Sequence, residues 1–563
     1  MARAYHDHHL PHMKHHTGIR RSAQIAFGGI VRTEAASDGD IYEMRNMSAR
    51  DYPLLSARHP RAMRDVGVIS SLSSDGAALF WVDKSVGERQ GHLIYNDNDT
   101  GVVLNAKPKR YAVMYETILI FPDKVYYNTK TGESGSIDAH SGAAEYVDES
   151  NKRLVFSSPL MTFRAGDVVR IRAVPYIKLT GADGIVTESP LDEETLQAVI
   201  ASVSNHYVKF REVKQGAKVL YEEFPFRSGY AKWEVVDMAR QSPDLETLCA
   251  CNNRVFGTVG NQIYASALGD VTNWQDYRGI STDSWYLDTG NPQPFTACAV
   301  VSGRPVFFTE TDVTVLYGSY PSAYSTSVIH TPGVRAGSAA SVTALGDYLY
   351  YLSLYGLCRF SISGGATVIS DVLGVRIMDC VSATDGRGVL FCCYGDDGTA
   401  FSYRLSGKSG TFCGEDELPF ICLCRLRGAI VGTDGRTLYH MSEDGEIPDG
   451  YISEDFFTCR VIFSPFREDH ATSSSNYTMV PKRGHRLIIR YKAVQAPVRV
   501  YLRIDGEPSR IVYARENCMD EDVAVVPLPP FASDKYTVEI ESEIGQDARF
   551  MLMGMAREYS YYN

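Results

Sequence analysis

No run of 18 apolar residues occurs in the 563-residue sequence, so no helical membrane span is expected, and the N-terminus lacks the apolar stretch of a secretory signal. An excess of basic residues is also missing. Lys and Arg number 56 against 68 Asp and Glu, and this net charge of −12 argues against holding nucleic acid on a broad basic face by counterion release. A conduit past which DNA slides can still be acidic. Cysteine is sparse: twelve residues without one CxxC pair fit neither a disulfide scaffold nor a zinc site built from two close ligand pairs. Cys249 with Cys251 and Cys422 with Cys424 read as small apolar fillers on one strand face, beside the neighbours Cys392 and Cys393. Reduced thiols and no signal segment place the expected synthesis in the cytoplasm.

Catalytic signatures are absent as well. There is no GxSxG elbow, no HExxH and no DxDxDG loop, and Gly28-Gly29 has neither the GxGxxG spacing nor the lysine of a P-loop. The stretches Ser73 to Trp81 and Gly395 to Tyr403 come nearest to the S-x-D-x-G-x-x-W turn of sialidase-type propellers, but lack its spacing. Asp434-Gly435 and Asp505-Gly506 read as hairpin turns, since both residue types tolerate positive φ. The expectation is a protein that is not an enzyme and carries no cofactor and no metal. Two features stand apart. Six of the fourteen histidines lie in residues 1–18, a tract that could chelate but reads as a solvated terminus pinned by a neighbouring subunit. The run Trp274 to Tyr277 offers either rim packing or a binding surface.

What is abundant points to strands. Tyr (35) far outnumbers Trp (4), and 47 glycines are spread evenly rather than clustered. Hydrophobic residues at 44% and charged residues at 22% are those of a globular chain. Units of an apolar strand, a turn and a Tyr-rich strand recur at Ala77 to Asp97, Tyr115 to Glu133, Cys249 to Ser266, Arg304 to Ser319, Gly346 to Ile362, Arg387 to Leu405 and Ile421 to Met441. Repetition of β-hairpins at roughly 40 to 60 residues is the pattern of propeller blades, which stack because one small sheet cannot cover both its faces.

The predicted fold class is all-β: a β-propeller body, an inserted small β-barrel and a C-terminal β-sandwich. Expected boundaries are a His-rich arm at 1–26, first blades at 27–150, the inserted barrel at 151–240, remaining blades at 241–450 and the sandwich at 451–563. Within the insert, Ser189 as N-cap, Pro190 at the first position and acids in the first turn make the best helix start in the chain, although Val199 to Val208 also fits a strand.

Two stretches carry a likeness. Phe27 to Met63 resembles the N-terminal signature of bacteriophage tail nozzle proteins, the tail tubular or stabilisation proteins of short-tailed phages, which runs from a GG pair through an Asn-Met element to an Arg-Pro dipeptide. Gly28, Gly29, Asn46, Met47, Arg58 and Pro60 match, with His59 intervening before the proline. Asn252 to Tyr277 and Gly303 to Ser361 are similar to blades of that family, with Gly337, Ser338, Ser341, Gly346 and Gly356 at its landmark positions, and Phe163 to Ile171 resembles its inserted barrel. The resemblance implies a structural virion protein assembled in the host cytoplasm. Copies would form a ring, commonly a hexamer, contacting other tail or adaptor proteins and, transiently, the viral DNA in its channel. A tail-tip protein that binds or depolymerises host-surface carbohydrate is the alternative.

Overall fold

A computed structural model describes residues 18–33, 36–84, 90–148, 150–180, 184–215, 218–221, 230–275, 280–466, 482–528, 532–533 and 535–561. The chain is all-β: among the described residues the only helical segments are three short 3-10 turns. It divides into two compact units, one of residues up to 79 with 340–360 and 366–563, the other of residues 80–339 with 361–365.

Among the described residues six four-stranded antiparallel meanders recur, at 69–105, 110–136, 247–288, 297–330, 343–368 and 379–414, and a seventh unit at 422–441 is completed to five strands from elsewhere in the sequence. These are propeller-like blades. Local chemistry sets the turns, in the blades at Asn96-Asp97 and Asn252-Asn253 and after the later strand Ala496–Ile504 at Asp505-Gly506: each places two consecutive residues at positive φ, the geometry that matches the twist of paired strands. In the first unit the leading strands of the fifth, sixth and seventh blades lie side by side, followed by Ile69–Ser74; in the second, those of the second, third and fourth blades do the same. Between blades sit aromatic and aliphatic cores, such as Phe80, Leu93, Ile118 and Ile120 between the first two and Leu390, Phe420, Ile430 and Tyr439 between the last two. Each such side chain removed from water contributes about 1.5–3 kcal/mol.

The thiols belong to these cores. Cys249 and Cys251 pack with Phe256 and Phe307, and burial pushes the Cys392 thiol up to about 11 and those of Cys413 and Cys459 up to about 12, so all three stay protonated at neutral pH.

Three placements differ from the sequence expectation. First, 27–150 does not simply open the propeller. Ile41–Arg45 adds to the sheet of Phe456–Phe463, Tyr536–Gly545, Ala496–Ile504 and Arg510–Cys518, while Met47–Ser48 and Leu55–Ala57 join the facing sheet with Arg549–Tyr561 and Lys482–Val494. Ala62–Asp65 then supplies the fourth strand of the seventh blade, against Thr437–Met441. Arg20–Gln24, expected in the N-terminal arm, pairs with Arg549–Tyr561, whereas the histidine tract at 1–17 lies outside the described residues. Second, the insert begins at 139 rather than 151: it is a nine-stranded antiparallel sheet spanning 139–240, and the chain entering Tyr146–Asp148 returns to Lys232–Arg240 through the Ala144 N–H on the Val235 carbonyl (3.0 Å). It wraps one core that includes Leu154, Phe163, Ile171, Phe210 and Met238. Third, the expected helix is the strand Glu194–Val203: Leu196, Ala198 and Ile200 alternate into that core, and burial on a sheet face outweighs the capping signal at Ser189-Pro190.

Placement of Ile41–Arg45 in the terminal sandwich is checked by a pair of substitutions. Ile41 is fully buried in the sandwich core and Tyr42 faces outward. Ile41→Ala is expected to cost about 2–5 kcal/mol by denaturant unfolding, and Tyr42→Ala no more than about 1 kcal/mol.

Candidate functional site

Between Asn46 and Arg61 the chain leaves one sheet of the sandwich, crosses the other and enters the seventh blade, and here most of the N-terminal signature residues meet. Asn46 stands at φ 56°, in the left-handed region that asparagine tolerates. Its backbone N–H donates to the Glu415 carbonyl (2.6 Å), its side-chain amide to the Thr458 carbonyl (2.8 Å), and its Oδ1 accepts from Arg58 Nε (2.8 Å). Met47 beside it is fully buried in the sandwich core.

Arg58 lies over the Phe457 ring at 3.9 Å and grips Glu454 through two donors, at 2.7 and 3.1 Å. Arg61, 2% exposed, is held between Glu415 (2.6 Å) and Asp416. Arg404, on the sixth blade, contacts Asp385, Glu443 (2.7 Å) and Glu415 (3.8 Å). Three guanidiniums and five carboxylates thus form one buried cluster whose members come from the N-terminal segment, the sixth and seventh blades and the approach to the sandwich. Asp385 is further fixed by the backbone N–H groups of Arg387 and Gly388, both at 2.8 Å.

Burial and pairing pull these groups in opposite directions. Burial alone would raise the Asp416 carboxyl, but the charges of Arg61 and Arg58 hold it below the usual carboxylate range. Burial opposes the charge on Arg61 and Arg404, and the surrounding carboxylates more than reverse that. Glu443 goes the other way: its burial, with Glu415 and Asp385 nearby, raises it despite Arg404. It borders a cavity of about 310 Å³ whose other charged wall residues are Arg50, Arg387, Arg404 and Lys408. Each of the five carboxylates contacts a guanidinium, an arrangement suited to fastening chain segments together.

Gly29 contributes by absence. Neither Gly28 nor Gly29 has positive φ, and a Cβ on Gly29 would stand 2.6–2.7 Å from Thr411 and the Phe412 backbone, so the residue permits a close crossing. Gly28 is exposed with nothing within reach of a Cβ. Pro60 and His59 lie against the cluster, and a Cβ on Gly445 would meet the His59 ring at 3.0 Å. The other signature residues are elsewhere and serve turns. Gly337 has φ 84° in a turn closed by Ser338 N–H on the Arg335 carbonyl (3.0 Å), and Gly356, at φ 124°, leaves room for Ser370 Oγ, which accepts from Leu357 N–H (2.9 Å). Ser341 Oγ accepts from Leu352 N–H (2.9 Å), and Gly346 turns the first hairpin of the fifth blade at φ 60°. Trp274 is 2% exposed with Nε1 on the Val271 carbonyl (2.8 Å), a packing role; Asp276 and Tyr277 lie outside the described residues.

Arg61, Arg404, Asp385, Glu415, Asp416, Glu443 and Glu454 escaped sequence reading. Arg61 and Glu415 are 354 positions apart, and the one local hint is an arginine inside the apolar strand Ala400–Ser406.

No family model matches the chain, and no curated protein matches it. Among solved structures it is similar to a chain of the mitotic checkpoint complex (12% identity, 49% of this chain and 88% of that one, TM-score 0.24). It is also similar to U3-55K (9%, 68% and 98%, TM-score 0.28) and to an exo-β-1,3-galactanase from Phanerochaete chrysosporium (11%, 54% and 92%, TM-score 0.20). Likenesses this slight carry no argument about function.

Two outcomes follow from the cluster. Arg61→Met leaves Glu415 and Asp416 without their main partner and is expected to cost about 3–5 kcal/mol in denaturant unfolding, whereas Arg387→Ala, which breaks the exposed pair with Asp444, should leave the midpoint unmoved. Burial, then the charges of Arg50 and Arg549, lower His59 from 6.5 to about 4. Between those values the unfolded chain binds more protons than the folded one, so stability falls as pH drops from about 6.5 to about 4. Melting temperatures across that range should decline less steeply in His59→Gln; equal slopes would refute the assignment.

Proposed function

We propose that this chain is a structural protein of a bacteriophage tail, a nozzle-like β-propeller whose copies form a ring, commonly of six, around the channel that DNA crosses during ejection. The observation that carries the reading is the segment Phe27 to Met63. Its resemblance to the nozzle signature falls on residues that act in cohesion: Gly29 at a backbone crossing, Asn46 and Arg58 in the buried cluster, Met47 in the core.

Other features are compatible. A net charge of −12 reduces sticking of DNA to a channel wall. Solvent-facing Tyr42, Tyr115, Tyr146, Tyr286, Tyr320 and Tyr355 are the residue type enriched where proteins meet, as contacts between copies and with other tail or adaptor proteins require. In this reading the protein is assembled in the host cytoplasm, ends in the virion and performs no catalysis.

Negative-stain microscopy of the purified protein, or of its particle, is expected to show rings with a central channel. A protein that stays strictly monomeric under assembly conditions would sink the reading.

A further inference from the structure

The second unit contains a cavity of about 430 Å³ between the inserted sheet and the third blade. That volume falls within the roughly 300–1,000 Å³ usual for small-molecule sites. Its wall combines the apolar Leu196, Pro243 and Trp274 with amides and hydroxyls: Gln197 and Thr195 from the strand Glu194–Val203, Gln241 from the segment leaving the insert, Gln275 from the loop after Trp274, and Tyr264 from the strand Gln262–Ala265. Arg170 is the single charged side chain on this wall, and it is exposed.

Several wall groups are already fixed. Gln275 Nε2 donates to the Gln241 carbonyl (2.7 Å), Gln197 Nε2 donates to the Gln275 carbonyl, and Tyr264 OH donates to Gln262 Oε1 (2.7 Å). The Tyr264 ring stacks on Tyr286 at 6.2 Å. One atom is left over: Gln275 Oε1 is buried and has no partner among the described residues. A buried acceptor without a donor costs about 1–3 kcal/mol in general, so a ligand hydroxyl there would be favoured.

We infer that this cavity is a binding site for a neutral saccharide of one or two rings. Among the described residues no carboxylate or imidazole lines the wall, which disfavours a divalent cation, and Arg170 is the one positive charge there, which disfavours a polyanion. An apolar ligand would desolvate three amides without return. A sugar fits. Each amide carries a donor and an acceptor side by side, matching neighbouring hydroxyls, and the tyrosine ring can face the apolar C–H side of a pyranose. The inference does not rest on ring assembly.

Calorimetric titration of the protein with glucose, N-acetylglucosamine, maltose and chitobiose tests it, with glucuronate and inorganic phosphate as charged contrasts. At least one neutral sugar is expected to bind with Kd of about 10 mM or tighter, and Gln275→Ala to weaken it about tenfold at unchanged ring formation. Thr195→Val, on an exposed strand position, gives the same readout should Gln275→Ala fail to fold. Absence of binding by all four neutral sugars, preference for phosphate or glucuronate, or affinity unchanged in the folded variants would each overturn the assignment.

Discussion

The pairing of Arg61 with Glu415 and Asp416 is the contact on which the first unit depends. A guanidinium this deeply buried is costly unless met by opposite charge, and it is met here by two carboxylates that follow the last strand of the sixth blade. Arg404 and Arg58 extend the same solution to either side, so the N-terminal segment, two blades and the beginning of the sandwich share one set of ion pairs. Slippage of any one segment would strand a charge in the interior. A one-residue slip would also turn the buried side chains of strands such as Phe456–Phe463 toward solvent, so the ion pairs and the apolar alternation fix the same register.

Around that cluster the architecture is repetitive and its cohesion simple. Each blade supplies a face of Val, Leu, Ile and Phe, and neighbouring faces close over it. Tyrosine serves at the margins of these interfaces, where its ring is covered while its hydroxyl finds a polar partner: Tyr394 OH donates to the Phe420 carbonyl (2.7 Å) and Tyr439 OH to Asp434 (3.0 Å). This explains why tyrosine and not tryptophan dominates the aromatic content: many small margins need a slim ring with a polar tip.

The blades were legible in the sequence because their information is local. Ala77 to Asp83 pairing with Gly91 to Asp97, or Thr117–Phe121 with Val125–Asn128, needs only alternation and a turn. The helix proposed after Ser189 failed for the complementary reason: capping residues are a local signal, but the decision rested on burial of Leu196, Ala198 and Ile200 against strands distant in sequence. The destination of 41–65 was illegible on the same ground. These short strands alternate adequately and would suit any open sheet edge, and which edge receives them depends on residues beyond 410. The signature positions were legible as landmarks, but the carboxylates that give Arg58 its meaning were not, since a glutamate in isolation says nothing about which arginine it will meet.

The seventh blade takes its fourth strand from the beginning of the chain, and this orders events in time. Arg61 is synthesised 354 residues before Glu415. At about 5–20 residues per second, that is a delay of roughly 20 to 70 seconds during which the buried arginine and the strand Ala62–Asp65 have no native partner. The second unit can pack meanwhile, since its blades and inserted sheet lie largely between these two landmarks. The first unit cannot, and a chain that stops short of residue 415 carries a segment with nowhere to go. An order of events is thereby written into the fold: Ala62–Asp65 can take its place only after Thr437–Met441 has been made.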